Sequence, residues 1–312
     1  MSHEEAMSRA ESILRAAFGD RARNHYSLAP LTTFRIGGPA DLYVEPESTE
    51  DLAAAARAVS ETGLPFTVLG KGSNVLVSDS GFPGLVIRLG KAFRWAEPEG
   101  GILRAGAAMP VPALAGVALT HSLAGLEFGV AIPASLGGAV RMNAGAHGHS
   151  MEEIVEEVEV FSFNEGQTKT VPKSGAGFSY RGSSLGDGAV VTGASLALKP
   201  GEPGEIRRHM DDAREWRRAT QPLAEPNCGS VFKNPPDGQA ARLIEEAGAK
   251  GMTVGGARVS EKHANFIVTT PEATSADVLS LMLEIQNRVQ DKAGVLLECE
   301  VQLVGEFDPV PR

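Results

Sequence analysis

The chain has 312 residues, 42% of them apolar, and a formal net charge of −10. That length exceeds the roughly 250–300 residues at which a single core stops growing, so more than one domain is expected. An acidic chain with no long basic run argues against a nucleic-acid partner, and two cysteines, Cys228 and Cys299, in no metal spacing argue against a disulfide scaffold.

Met1 to Asp20 is charged throughout and predicts a short helix without the apolar core of a signal segment. Ala40 to Val44 has strand character and stops at Pro46. Ser48 to Ala58 predicts a helix capped by Ser48 or Thr49, with acids in its first turn. Pro65–Gly70, Val75–Val77 and Leu85–Leu89 predict strands separated by glycine-rich turns. Pro112 to Ser122 predicts a helix, while Glu157–Phe163 and Val190–Leu198 predict strands. The most apolar stretch, Ala105 to Val140, is broken by Pro110, Pro112, His121, Glu127 and Pro133. It falls short of the ~18 unbroken residues of a membrane span, so a cytoplasmic protein with no membrane partner is expected. Glu205 to Arg218 predicts a charged helix, and the breaks at Pro222 and Pro226 place the main boundary near residues 200–226. Beyond it come a helix over 238–246, a strand over 263–268, a helix over 275–292 capped by Ser275, and a strand over 295–304. Helices and strands mix without a strict βαβ rhythm, which makes the fold class α+β.

Five segments have the composition of functional loops. Leu69-Gly70-Lys71-Gly72-Ser73-Asn74 follows an apolar strand, and its glycines would let main-chain N–H groups approach a pyrophosphate. It lacks the third glycine of the dinucleotide fingerprint and is no Walker loop, so a structural turn is the commoner meaning of such a loop taken alone. Ile132 to Ala139 and Met142 to Ala146 are two small-residue clusters, which suit a flat ligand on bare backbone or tight loop packing equally. Phe178-Ser179-Tyr180-Arg181 is the next. Asn227 to Pro235 contains Ser230 and Lys233 in the S-x-x-K spacing of serine acyl-enzymes, but Ser78-Asp79-Ser80 and Lys169-Thr170-Val171 are not its companion motifs. A serine beside a lysine is still a candidate proton donor. In Leu297 to Val301, strand alternation places Glu298 and Glu300 on one face. His147 and His149 have no third ligand nearby, and no metal site is expected.

Taken in order, these motifs resemble the UDP-N-acetylenolpyruvoylglucosamine reductase family. The resemblance is carried by Thr33 to Gly38, Gly70 to Asn74, Ile132-Pro133 with Gly137 to Ala139, Asn143 to Ala146, Tyr180-Arg181, Gly229 to Pro235, Val259 to Phe266, and Leu297 to Val301. The short spacer between Arg181 and Ser230 resembles the branch that lacks the tyrosine-bearing loop over the UDP group. His147 stands where the family usually has an aromatic residue, and Cys299 where it has proline.

The resemblance implies an α+β, FAD-binding fold of the vanillyl-alcohol-oxidase type. It puts two FAD-binding subdomains in 1–202, split near 90–100, a substrate domain in 203–295, and a C-terminal strand, 296–312, returning to the active site. It implies FAD as cofactor and NADPH as co-substrate, with hydride passing from flavin N5 to C3 of UDP-N-acetylglucosamine enolpyruvate. The catalytic residues would be Arg181 on the substrate carboxylate, Ser230 as proton donor to C2, and Glu300 as stabiliser of the enolate. FAD contacts would come from Arg35, Gly70, Lys71, Gly72, Ser73, Asn74, Ile132, Pro133, Ser135, Gly137, Gly138, Ala139, Asn143, Ala144 and Gly145. Arg217, Arg218, Lys233 and Asn234 are candidates for the substrate diphosphate; an exposed helix face explains the two arginines equally well. The expected partner is a small nucleotide sugar, with no obligate protein partner. An oxidase of a small alcohol or sugar on the same fold, its flavin tethered through His147 or His149, is the alternative. A binding module without turnover would not need Arg181, Ser230 and Glu300 together.

Overall fold

The computed structural model describes residues 2–308, 310 and 311. Met1, the expected start of the first helix, and Pro309 and Arg312 of the expected C-terminal segment lie outside them. The fold is α+β. The chain forms two compact units that interleave in sequence: Met1–Asn24, Leu42–Lys71 and Gly84–Arg217 in the first, and His25–Asp41, Gly72–Pro83 and Arg218–Arg312 in the second. Strands Pro39–Val44 and Phe82–Ile87 each start in the second unit and finish in the first.

In the first unit, helix His3–Phe18 opens on a capping box, in which the Ser2 hydroxyl accepts from Glu5 N and the Glu5 carboxylate accepts from Ser2 N. It packs Ala10, Leu14 and Phe18 into one core with Leu52, Ala55 and Ala56 of helix Thr49–Thr62. Ser48 caps that second helix, and Gly63, with φ 69°, ends it in the left-handed conformation glycine reaches without strain. Strands Phe66–Val68 and Leu85–Ile87 pair in parallel over this core.

The larger part of the unit is an antiparallel sheet in the order Gln167–Pro172, Val155–Ser162, Ala189–Ala197, Ile102–Gly106, Ala96–Glu99. The two central apolar strands match expectation. The sequence showed no sign of Gln167–Pro172, an exposed edge strand with a polar sequence that pairing alone makes extended. A second core, including Leu103, Val111, Leu114, Leu136, Val158 and Leu196, joins the sheet to helices Val111–Thr120 and Leu136–Arg141. Burial of each such side chain contributes about 1.5–3 kcal/mol. Helix Pro203–Thr220 also packs here, through Ile206, Met210 and Ala213.

The second unit joins helices Ala240–Glu246 and Ser275–Ala293 to the antiparallel strands Thr253–Val254, Ala257–Val259 and Ile267–Thr269. Its core takes Phe34, Ile36 and Leu76 from far upstream and packs them with Val231, Phe232, Ile244, Met282 and Leu297. Two expectations are corrected. Thr274, not Ser275, caps the long helix: its hydroxyl accepts from Asp277 N at 3.1 Å and its own N–H reaches the Asp277 carboxylate at 3.0 Å. Ser275 is instead buried and exchanges hydrogen bonds with Asp79 at 2.8 and 2.7 Å. The strand expected over 295–304 is regular only at Gln302–Val304, which pairs in parallel with Val75–Val77. Before it the chain is not a regular strand, and Cys299 and Phe232 form an isolated antiparallel bridge.

Candidate active site

The first unit holds a cavity of ≈ 300 Å³ whose lining includes Val68, Leu69, Gly70, Lys71, Arg88, Arg94, Ala107, Ser135, Gly137, Gly138, Arg141 and Val190. Two of its glycines are there for space. A Cβ on Gly70 would lie 2.4 Å from Ser135 Oγ, and one on Gly137 would lie 3.0 Å from Ala107 Cβ. The surface therefore combines bare main chain, an apolar side and the cations Lys71, Arg88, Arg94 and Arg141. Five candidate cofactor residues, Gly70, Lys71, Ser135, Gly137 and Gly138, meet here. The three arginines were missed. Arg88 at the end of the apolar run Leu85-Val86-Ile87 was the one visible signal, a charge where the strand otherwise buries everything.

Other cofactor candidates behave differently. The side chains of Ile132 and Ala139 are buried in the core, which leaves only their main chain for a ligand, and Pro133 is exposed. Gly72, Ser73 and Asn74 belong to the second unit. Gly72 has φ 63°, its carbonyl accepts from Thr33 N at 2.9 Å, and a Cβ would strike Leu31 O at 2.1 Å, so local packing alone demands glycine. Arg35 is exposed on a left-handed backbone, φ 60°.

Arg181 is built into its place by its neighbours in the first unit. Ser179 and Gly182 exchange main-chain hydrogen bonds at 3.0 and 3.2 Å, which makes Tyr180-Arg181 the corner of a tight turn. Arg181 takes the corner position with φ 59°, where such turns usually place glycine or asparagine. Strain of this kind costs about 1–3 kcal/mol and collects at functional sites. Buried Asn143, also left-handed at φ 41°, donates to Ser179 O at 2.9 Å and accepts from Glu152 N at 2.9 Å. The Arg181 guanidinium lies 5.0 Å from the centre of the Tyr180 ring. A Cβ on Gly145 would lie 2.4 Å from His149 O, which the main chain tolerates only with glycine, and 3.3 Å from Arg181 Nη1. Ala144 is held by its N–H to Ala139 O at 2.8 Å.

In the second unit, Ser230 follows Gly229, whose φ of 82° turns the chain, while Asn227 Oδ1 accepts from Gly229 N at 3.0 Å. Buried Asn265 then clamps the next residues. Its side chain donates to Phe232 O at 2.8 Å and accepts from Phe232 N at 3.0 Å, and its carbonyl accepts from Val231 N at 2.9 Å. Across from this segment, Glu300 N donates to Val231 O at 2.8 Å and Lys233 N to Glu298 O at 2.8 Å. Val301 N also reaches Val231 O, at 3.3 Å, so the pairing does not continue as a regular ladder past Glu300. Glu298 is exposed and forms an ion pair with Lys233, whereas Glu300 is half-buried. Asn74 Nδ2 donates to Glu300 O.

Burial, followed by the nearby Glu300 charge, pushes the Cys228 thiol far above its ordinary range. Burial pushes Cys299 up to about 12, so neither thiol is a ready nucleophile. Of the diphosphate candidates, Arg217 is substantially buried, which lowers its pKa, and it belongs to the first unit. Arg218 belongs to the second, is exposed, and accepts Lys262 Nζ on its carbonyl at 2.5 Å. Asn234 Oδ1 accepts from Ala240 N at 3.0 Å, a helix-capping bond. Each unit thus holds part of the expected catalytic set: Arg181 in the first, Ser230 and Glu300 in the second. Among the described residues no acidic, histidine or cysteine cluster is arranged to hold a metal, and no helix is long and apolar enough to cross a membrane.

Comparison with known proteins identifies two families along the chain. Residues 40–171 match the FAD binding domain family, and residues 221–304 match the C-terminal domain of UDP-N-acetylenolpyruvoylglucosamine reductase. The chain is 42% identical over 96% of its length to the UDP-N-acetylenolpyruvoylglucosamine reductase of Halalkalibacterium halodurans, covering 100% of that protein. It is 46% identical over 88% of its length to that of Heliobacterium modesticaldum, of which 88% is covered. Among solved structures, UDP-N-acetylenolpyruvylglucosamine reductase from Thermus caldophilus superposes with a TM-score of 0.78 at 38% identity, covering 91% of this chain and 98% of that one.

Proposed function

Because the chain belongs to the UDP-N-acetylenolpyruvoylglucosamine reductase family, we propose that Arg181, Ser230 and Glu300 carry the reaction between them. The activity is reduction of UDP-N-acetylglucosamine enolpyruvate to UDP-N-acetylmuramate, a peptidoglycan precursor, with FAD as cofactor and NADPH as reductant. FAD fits the cavity of the first unit. A dinucleotide needs close approach by main chain, an apolar wall and cations for its pyrophosphate, and Gly70, Gly137, Gly138, Val68, Lys71, Arg88, Arg94 and Arg141 offer these. When bound, FAD supplies the hydride that the enolpyruvyl double bond takes up at C3.

The chain's own groups act on the charge that this leaves at C2 and the adjacent carboxylate. The planar guanidinium of Arg181 binds the carboxylate in two-pronged fashion and holds the enolpyruvyl group in one orientation. Glu300, in its protonated form, donates to the developing enolate oxygen. Ser230 delivers the proton to C2, which a hydroxyl does only when closely positioned. The observation that carries this reading is the main-chain bond from Glu300 N to Val231 O at 2.8 Å, which ties the glutamate to the residue following Ser230. Lys233 is committed to Glu298 in this arrangement, so any help it gives Ser230 comes from its field and not from a direct bond.

Functionally, residues 1–202 would serve FAD, 203–295 the nucleotide sugar, and 296–312 would return Glu300 to the chemistry. Arg217, Arg218, Lys233 and Asn234 would meet the diphosphate. The protein would act in the cytoplasm without an obligate protein partner. An oxidase on the same fold that tethers its flavin through a histidine would draw on His147, which lies against Trp216, or His149, which pairs with Glu153 at 2.7 Å.

An anaerobic stopped-flow experiment tests the reading. NADPH should bleach the flavin, and the enolpyruvyl substrate should restore its colour without oxygen. Recovery with oxygen alone would point to an oxidase instead.

A further inference from the structure

His147 and Trp216 form an aromatic contact in the first unit, with ring centroids 5.0 Å apart and planes at 78°. His147 sits at the tip of a two-residue hairpin in which Ala146 pairs with His149 and Gly145 with Ser150. Both tip residues have positive φ, 54° for His147 and 83° for Gly148, which is the sign pattern of a type I′ turn. Such a turn leaves the hairpin little freedom of its own, so whatever holds the tip also fixes the base. At the base is Gly145, where a Cβ would stand 3.3 Å from Arg181 Nη1, so the guanidinium borders the hairpin at this residue. Trp216 is anchored in turn on helix Pro203–Thr220, whose Ile206, Met210 and Ala213 are buried in the core. Arg181 is therefore bordered by the Tyr180 ring and by a hairpin that a helix-borne indole holds at its tip.

Trp216 keeps half of its surface exposed. We propose that His147 and Trp216 are positioning residues for Arg181: their contact fixes the hairpin, and the hairpin fixes the guanidinium that receives the substrate carboxylate. The inference rests on the assignment of Arg181 to the carboxylate. Its consequence is selective, because it concerns only ligands that carry the enolpyruvyl carboxylate. NADPH and a nucleotide sugar without that group do not depend on it.

The test uses the full-length flavoprotein with Trp216→Ala, Trp216→Phe, His147→Ala, Arg181→Ala and the Trp216→Ala/Arg181→Ala pair. Binding of UDP-N-acetylglucosamine enolpyruvate and of UDP-N-acetylglucosamine is read from the flavin spectrum. Flavin reduction by NADPH is timed separately. Trp216→Ala and His147→Ala should each weaken the enolpyruvyl compound about tenfold. Both should leave UDP-N-acetylglucosamine binding and flavin reduction unchanged. Trp216→Phe, which keeps a ring, should restore most of the loss. In the Arg181→Ala background Trp216→Ala should cost nothing further. Equal losses for both nucleotide sugars would overturn the proposal and make the indole a direct contact to the shared part of the ligand. A full loss persisting without Arg181 would overturn it as well. If Arg181→Ala alone bound the enolpyruvyl compound normally, the carboxylate assignment itself would fall, whatever the Trp216 variants did.

Discussion

Asn74 donates a hydrogen bond from its side-chain amide to the main-chain carbonyl of Glu300, at 3.1 Å, across 226 residues of sequence. A second bond, from Gln302 N to Asn74 O at 3.0 Å, makes the attachment two-pointed. Asn74→Leu keeps the volume and removes the side-chain bond, a loss of about 1 kcal/mol. The expected result is a roughly fivefold slower reoxidation of reduced flavin by the enolpyruvyl substrate. A parallel loss in reduction by NADPH would show that Asn74 serves the flavin and not Glu300.

Ser230→Ala should remove the proton donor while leaving the local backbone in place, because Asn265 and Glu300 hold that segment through main-chain groups of Val231 and Phe232. Flavin reduction should proceed normally and turnover of the enolpyruvyl substrate should fall about 10²–10⁴-fold. Single-turnover traces of each half-reaction distinguish this from a general loss of activity.

Gly72→Ala and Gly63→Ala form a matched pair. Both positions have positive φ, 63° and 69°, but a Cβ on Gly72 would meet Leu31 O at 2.1 Å whereas one on Gly63 meets nothing within 4 Å. Gly63→Ala should cost about 1 kcal/mol and Gly72→Ala at least about 2 kcal/mol more. Denaturant unfolding of the apoprotein measures both.

His263 gives the second unit a pH dependence. Burial lowers its pKa from the ordinary 6.5, and its Nδ1 accepts from Asn265 N at 3.3 Å, which requires the neutral ring. Below 6.5 the unfolded chain takes up a proton that the folded chain resists, so folding stability falls with falling pH and levels off above it. Melting temperatures between about pH 7.5 and pH 5 should therefore drop more for the native chain than for His263→Gln. Equal slopes would mean that the ring titrates freely.

Much of the site was written in short segments whose composition has a local cause. The left-handed corners at Gly63 and Gly229 fall on glycines, the residue type that reaches this conformation without strain. Those at Arg35 and Arg181 were not legible, because arginine is a residue that sequence rules place elsewhere. Central strands such as Val155–Ser162 carried an apolar signal, while Gln167–Pro172 is extended only because a neighbour pairs with it. Arg88, Arg94 and Arg141 are dispersed in sequence and become a group only around one cavity. Ser275 looked like a helix cap from its residue type, but Asp79 claims it and the cap moves one residue back.

The interleaving of the two units also has a meaning for the order of synthesis. The core of the second unit needs Phe34, Ile36 and Leu76, made early, together with Leu297 and Val301, made last. Strand Val75–Val77 finds its partner only when Gln302–Val304 exists. Both cores of the first unit are complete in sequence by Ala213. A nascent chain can thus assemble the FAD-binding cavity while the segment with Ser230 and Glu300 is still being translated. The segments 25–41 and 72–83 meanwhile wait without their core, so a ribosome stalled after residue 217 would carry a folded half with two unsatisfied apolar loops, a natural target for chaperones.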